Sequence, residues 1–133
     1  MGQYGPKPPI ILNIGPVSAA EIAVDKDYFI MPPSLGAYRV VSMQGTQDVP
    51  STSGTFVLRY ITDDSPAGTA AGATVVDLNT ALSTAGADDT KLSATLTNVT
   101  IPANARISGQ TGGTQTNLVG FRCVVLLEPI DQL

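Results

Sequence analysis

Hydrophobic and polar residues alternate with a period of two along most of the chain that follows residue 17. The clearest example is residues 55–62, TFVLRYIT. Successive side chains of a strand point to opposite faces of its sheet, so this segment is predicted to be a β-strand. The face that we expect to be buried carries Phe56, Leu58 and Tyr60.

Shorter segments of the same kind are separated by turns rich in Gly, Pro, Ser and Thr. Strands are predicted around Ile22 and Val24 and at residues 28–31, 38–43, 92–97, 99–101, 106–108 and 118–128. A phase shift near Asn98 predicts a β-bulge there. About seven or eight such strands predict an all-β fold, an antiparallel β-sandwich or jelly roll. At most one short helix is expected, starting at Asp77 and ending at Gly86.

The N-terminal segment differs from the rest of the chain. Residues 1–16 hold four of the ten prolines and one charged residue, so we predict an extended Pro-rich arm, followed by a single β-sandwich domain at residues 17–133. The apolar residues of the arm require burial, either as an edge strand of the chain's own sheet or against a neighbouring molecule. The candidate contact residues of the arm are Tyr4, Lys7, Pro8, Pro9, Ile10, Ile11, Leu12 and Ile14.

Composition excludes several classes of function. Only 14% of residues are charged and the net charge is −4, so there is no basic surface to bind nucleic acid. The chain has no histidine and a single cysteine, which excludes zinc ribbons and internal disulfides. No apolar stretch approaches the roughly 20 residues that span a bilayer. We therefore expect no cofactor, no nucleic-acid partner and no membrane partner. A surface this low in charge suits shells, fibres and lectin-like modules.

The candidate chemical groups do not form a recognisable active site. The acidic pairs Asp25/Asp27, Asp63/Asp64 and Asp88/Asp89 lack the spacing of a calcium loop, and ordinary turn aspartates explain them. The Gly-rich stretch at residues 109–115 lacks the lysine and helix of a phosphate-binding loop. Cys123 occupies the apolar register of the last strand and is expected to be buried. We predict that the protein is not an enzyme.

Arginines within predicted strands suggest a second kind of contact. Arg59 and Arg122 each lie on a strand face that is otherwise apolar. A snorkelling arginine above a second buried sheet would explain this pattern. The preferred interpretation is a subunit interface in which each arginine pairs with a carboxylate of another copy. The candidate interface residues are Val57, Arg59, Ile61, Arg122, Val124 and Leu126.

The chain as a whole resembles the small head decoration, or cement, proteins of tailed bacteriophages. The resemblance lies in a Pro-rich arm, a Thr/Gly/Ala-rich β domain without His or Trp, and the stretch SATLTNVTIPANARISGQTGGTQTNLVGF before the last strand. It implies a homotrimeric β-sandwich on the outer capsid surface of a virion, with the arm along the major capsid protein. The implied function is to stabilise contacts between major capsid subunits.

Other functions remain open, among them an isolated domain of a bacterial surface or fibre protein. A phage fibre or receptor-binding tip would bind host glycans through its Thr, Asn and Gln loops, although the absence of Trp removes the best stacking platform. A carbohydrate-processing enzyme would need two working carboxylates, for which Asp63 and Asp88 are the candidates. Loss of turnover on replacing either aspartate would support that function.

Overall fold

A computed structural model describes residues 7–23, 25–32, 36–78, 81–92 and 100–130 of the chain. In chain order, the described elements are β1 (Ile10–Val17), α1 (Ala19–Ile22), β2 (Lys26–Ile30), β3 (Tyr38–Thr46), β4 (Thr55–Ile61), β5 (Val75–Asp77), β6 (Leu82–Ser83), β7 (Asp88–Leu92), β8 (Thr100–Ile101), β9 (Arg106–Gly112) and β10 (Phe121–Pro129).

The strands form two antiparallel sheets that pack against each other. Sheet A has the order β1-β10-β3-β7, and β8 also pairs with β3. Sheet B has the order β2-β9-β4-β5, and β6 also pairs with β4. This architecture confirms the prediction of an all-β sandwich. In β4 the period-two pattern holds as predicted, since Phe56 and Leu58 are buried in the core while Val57 and Arg59 lie on the other face.

Aromatic rings from both sheets meet in the centre of the core. The ring centroid of Phe56 in sheet B lies 5.3 Å from that of Phe121 in sheet A, and Tyr28 packs edge-on against Phe56 at 5.9 Å. The backbone of β9 passes so close to these rings that a Cβ atom on Gly109 would lie 2.7 Å from the Phe56 ring. The glycine therefore leaves the space that the rings occupy.

The described helix lies where the sequence predicted a strand around Ile22. Ser18 and Glu21 form a reciprocal capping box: Ser18 Oγ accepts from the Glu21 N–H at 3.3 Å, and Glu21 Oε1 accepts from the Ser18 N–H at 2.9 Å. These bonds satisfy helix donors that would otherwise be unpaired, so a single turn forms there. Among the described residues, no helix has the length and apolar character needed to cross a membrane.

The helix predicted after Asp77 is corrected in a similar way. Val75, Val76 and Asp77 pair with β4 as β5, and Leu82 and Ser83 pair with the same strand as β6. β-branched valines favour a strand at this position over the helical turn that an Asp cap suggested. The bulge predicted near Asn98 and most of the strand predicted at residues 92–97 lie outside the described residues.

The apolar part of the predicted arm belongs to a sheet of the domain. Residues 10–17 form β1, which pairs with β10 at the edge of sheet A. Leu12 and Ile14 are buried in the chain's own core. The apolar part of the arm therefore forms an edge strand of the chain's own sheet, which is one of its two predicted arrangements. The chain just before β1 is held as well, because the Tyr38 hydroxyl donates to the Pro8 carbonyl oxygen at 2.7 Å. Tyr4 lies outside the described residues.

Candidate interaction surface

The outer face of sheet A carries three neighbouring apolar side chains, which we call the apolar strip: Ile11, Val124 and Leu126. Ile11 is 64% exposed and Val124 is 45% exposed, while Leu126 is half-buried. Ile11 of β1 lies directly opposite Leu126 of β10, and Val124 follows two residues away on the same face. Isolated exposed apolar residues are common on proteins, but a contiguous group on a flat sheet face marks a candidate contact surface.

Residues of opposite charge flank the apolar strip at both ends. At one end, Arg122 contacts Asp48 through two hydrogen bonds, with Nη2 3.2 Å from Oδ2 and Nη1 3.3 Å from Oδ1. At the other end, Glu128 of β10 lies directly opposite Arg39 of β3. Each end of the strip therefore carries one positive and one negative side chain. A partner for this surface needs an apolar patch rather than a charged one.

The Arg122–Asp48 pair gives one of the predicted interface residues a partner within the chain. Arg122 was expected to seek a carboxylate on another copy, but the structure supplies one from the same chain. Val124 and Leu126 keep the accessibility that a contact requires. Asp48 was missed at the sequence level because it lies 74 residues away in the chain and only the pairing of β10 with β3 brings it near.

Part of the predicted interface on β4 contacts other residues of the same chain. The segment at residues 62–74 folds back over the outer face of sheet B, where Arg59 Nη1 donates to the Thr69 carbonyl oxygen at 2.9 Å. Ile61 of the same strand is only 1% exposed, and its cross-strand partner Val75 is 2% exposed. Ile61 is therefore buried within the chain, whereas Val57 and Arg59 are half-buried, and the subunit interface on β4 stays a prediction.

Arg106 holds the other end of the same segment. Its Nη1 donates to Asp27 Oδ2 at 2.8 Å, and its Nη2 donates to the carbonyl oxygens of Asp63 and Ser65. Asp63 in turn accepts from the Ser65 N–H at 2.9 Å. Hydrogen bonds from Ser65, with smaller contributions from Thr74 and the nearby Arg106 charge, lower the pKa of Asp63 to about 2. The Asp63 carboxylate thus takes part in the local hydrogen bonds of residues 62–74.

The remaining acidic pairs are also placed in turns and strands. Asp25 Oδ1 accepts from the Thr111 N–H at 3.2 Å, and Asp89 Oδ2 accepts from the Ser83 N–H at 2.7 Å. Within the described residues, no three potential metal-ligating side chains of the His, Cys, Asp or Glu type cluster together. The described contacts give these carboxylates backbone amide partners, which is the role expected of turn aspartates.

Two surface cavities lie near the end of β10. One, of about 410 Å³, is lined by Arg39, Thr100, Pro129 and Ile130. The other, of about 300 Å³, is lined by Lys7, Pro9, Glu128 and Pro129. Among the described lining residues Glu128 is the one carboxylate, whereas glycoside hydrolysis works with a pair. Asp63 and Asp88, the carboxylates considered for that chemistry, do not line either cavity.

A network of uncharged side chains joins the loops at one end of the sandwich. Ser51 accepts from the Gly54 N–H at 2.9 Å and contacts Thr84 Oγ1 at 2.8 Å, and Thr84 donates to Gln115 Oε1 at 2.8 Å. Because Thr84 has a single hydroxyl proton, Ser51 is the donor of the pair that it forms with Thr84. The Gln115 amide then donates to the Thr55 carbonyl oxygen at 2.9 Å.

Cys123 is 1% exposed in the middle of β10, and burial raises the pKa of its thiol to about 12. The nucleophilic thiolate is therefore scarce, and reagents cannot reach it. We expect the folded protein to resist alkylation by iodoacetamide at mildly alkaline pH and the urea-unfolded protein to react at the rate of an ordinary cysteine. Mass spectrometry of timed samples measures both rates. Rapid alkylation of the folded chain would contradict the buried placement.

Comparison with known proteins does not assign the chain to a family. No protein-family model matches the chain, and no curated protein matches it.

Proposed function

We propose that this chain is a structural virion protein that binds the outer surface of a phage head and stabilises contacts between major capsid subunits. The observation that carries the proposal is the apolar strip on the outer face of sheet A, where Ile11 and Val124 are exposed. Its flanking charges are matched within the chain, as the Arg122–Asp48 pair illustrates. The resemblance to head decoration proteins supports the choice of a capsid as the partner.

The physical basis of this function is many weak contacts added together. Burying apolar area contributes roughly 25 cal/mol per Å², so a strip of three side chains supplies only a modest affinity for one capsid site. A head presents the same site many times, and a protein that contacts two adjacent capsid subunits gains from the effective concentration of the second contact. Of the predicted arm, Pro8, Pro9 and Ile11 are exposed and accessible to a capsid subunit, and Lys7 precedes them in the chain.

A sedimentation assay with purified heads that lack this protein tests the proposal. We expect the wild-type chain to sediment with the heads and Val124→Asp to bind at least about tenfold more weakly, since a charge would then have to be buried at the contact. Val119→Asp is the matched control, because Val119 is 49% exposed but lies outside the apolar strip. Its binding should equal that of the wild type.

Two outcomes of this assay would overturn the proposal. One is a wild-type chain that does not bind heads, and the other is equal binding by Val124→Asp and the wild type. A glycan array tests the alternative function, that of a receptor-binding tip. Specific glycan binding together with indifference to heads would assign the protein to that function.

A further inference from the structure

The edges of the two sheets differ in how well they are protected against pairing with another strand. β7, on one side of sheet A, has the sequence DDTKL, and the neighbouring β8 has two residues. On sheet B, β2 begins with Lys26 and Asp27 and has an irregular register, while β5 has three residues. Charge, irregularity and short length are the usual means by which proteins prevent edge pairing.

β1 lacks these protections over its first five residues, because its register shift and Pro16 come after Ile14. It is eight residues long with the sequence IILNIGPV, and between Lys7 and Glu21 the chain has no charged residue. Its register with β10 is regular from Ile10 to Ile14 and shifts only afterwards. Among the described residues, no strand pairs with its other side. An uncharged edge with five residues in regular register is a template for an added strand.

The side chains of β1 make this edge apolar on its exposed face as well. Ile11 is 64% exposed and adjoins Leu126 and Val124, so the apolar strip reaches the edge of the sheet. A strand added beside β1 would cover the open side of Ile11. The free edge and the apolar strip are therefore two parts of one surface.

We propose that β1 pairs antiparallel with β1 of a second copy of this chain, about a two-fold axis at Leu12. Leu12 is the centre of the regular segment at residues 10–14, and Pro8 and Pro16 lie four residues to either side of it. In this register Ile10 faces Ile14 of the second copy, and Ile11 faces Asn13. All five regular residues find partners, and the prolines, which lack the N–H that a ladder needs, remain at the ends.

Several observations favour a second copy as the occupant. The register places core-facing residues opposite core-facing ones, so sheet A of each copy continues into the other with the same face outward. No charge lies within the paired segment, and two identical strands therefore meet without repulsion between like charges. Antiparallel pairing of identical strands is two-fold by geometry and closes on itself. The contact would form a dimer and cannot by itself form the predicted trimer.

Light scattering of the full chain tests the pairing without any capsid, so its result is independent of the proposed function. We expect a mass of about twice 13.7 kDa for the wild type. Ile11→Lys should raise the dimer dissociation constant at least about tenfold, because it removes apolar contact and brings two positive charges together. The matched control is Ile30→Lys, since Ile30 is 63% exposed on the edge strand of sheet B. That variant should keep the wild-type mass.

Disulfide cross-linking tests the register. Directly opposite residues have Cβ atoms about 4.5–5.5 Å apart, close to disulfide geometry, whereas diagonal neighbours are farther apart. We expect the double variant Ile11→Cys/Asn13→Cys to form a covalent dimer on mild oxidation and each single variant to do so poorly. Efficient cross-linking of either single variant would overturn the register centred on Leu12.

Three mass results would overturn the pairing itself. These are a monomeric wild type at high concentration, a trimer that Ile11→Lys leaves intact, and equal dissociation by Ile11→Lys and Ile30→Lys. The last result would show that the contact does not depend specifically on β1.

Discussion

Replacing Phe56 by alanine is expected to lower the free energy of unfolding by about 3–5 kcal/mol. The Phe56 ring is 1% exposed and contacts both Tyr28 within its own sheet and Phe121 in the opposite sheet. Its removal leaves a cavity at the junction of the two sheets, which rigid strands cannot close. Urea unfolding followed by circular dichroism measures the loss. Val57→Ala, one residue away on the outer face, is the control and should cost about 1 kcal/mol.

A double-mutant cycle makes this prediction more specific. Gly109→Ala should destabilise the wild type by about 1–3 kcal/mol, because its new Cβ atom would overlap the Phe56 ring. In the Phe56→Ala background the same change should cost less, since the space is then empty on that side. Strictly additive effects would show that the ring and the glycine are not in contact.

The two arginines that looked alike in the sequence are expected to behave very differently. Arg59→Ala should destabilise the protein by about 1–3 kcal/mol, because its guanidinium bond to the Thr69 carbonyl oxygen holds residues 62–74 against β4. Arg122→Ala should cost at most about 1 kcal/mol, because the side chains of Arg122 and Asp48 are 45% and 58% exposed. Urea unfolding of both variants gives the comparison.

Limited proteolysis provides a second readout for Arg59. Loss of its hydrogen bond should increase cleavage within residues 62–74, while Arg122→Ala leaves the digestion pattern unchanged. Arg59→Met is the informative intermediate, because it keeps the aliphatic packing and removes the Nε atom, which is buried without a hydrogen-bond partner. We expect its stability to lie between those of Arg59→Ala and the wild type. Equal stability of the Arg59→Ala and Arg122→Ala variants would contradict this difference between the two arginines.

The local sequence patterns were sufficient to predict the fold class. They were not sufficient to predict which part of the chain, or which other molecule, contacts the outer face of each sheet. The alternation of Phe56 and Leu58 with Val57 and Arg59 predicted both the strand and its core side. The same alternation cannot distinguish a face that meets another molecule from one that meets a distant part of the same chain. That difference depends on residues 62–74 and on Asp48, whose positions follow from tertiary pairing.

Two local errors have a common physical origin. Around Ile22 the apolar alternation predicts a strand, whereas the hydrogen bonds of the Ser18–Glu21 capping box determine a helical turn. At Asp77 a helix cap predicts a helix, whereas the β-branched Val75 and Val76 pair with β4 as a strand. Short segments are decided by a few hydrogen bonds or strand partners, and a period of two or 3.6 residues is poorly defined over four positions.

The uncharged network of Ser51, Thr84 and Gln115 has a consequence for the conditions under which the protein keeps its shape. None of these side chains titrates between acid and alkali, and none carries a charge that salt could screen. The bonds run in a single donor-to-acceptor direction from the Gly54 amide to the Thr55 carbonyl oxygen. We therefore expect the hydrogen bonds between these loops to persist at salt concentrations and pH values that weaken ion pairs such as Arg122–Asp48. The stability of this end of the sandwich should depend little on ionic strength or pH.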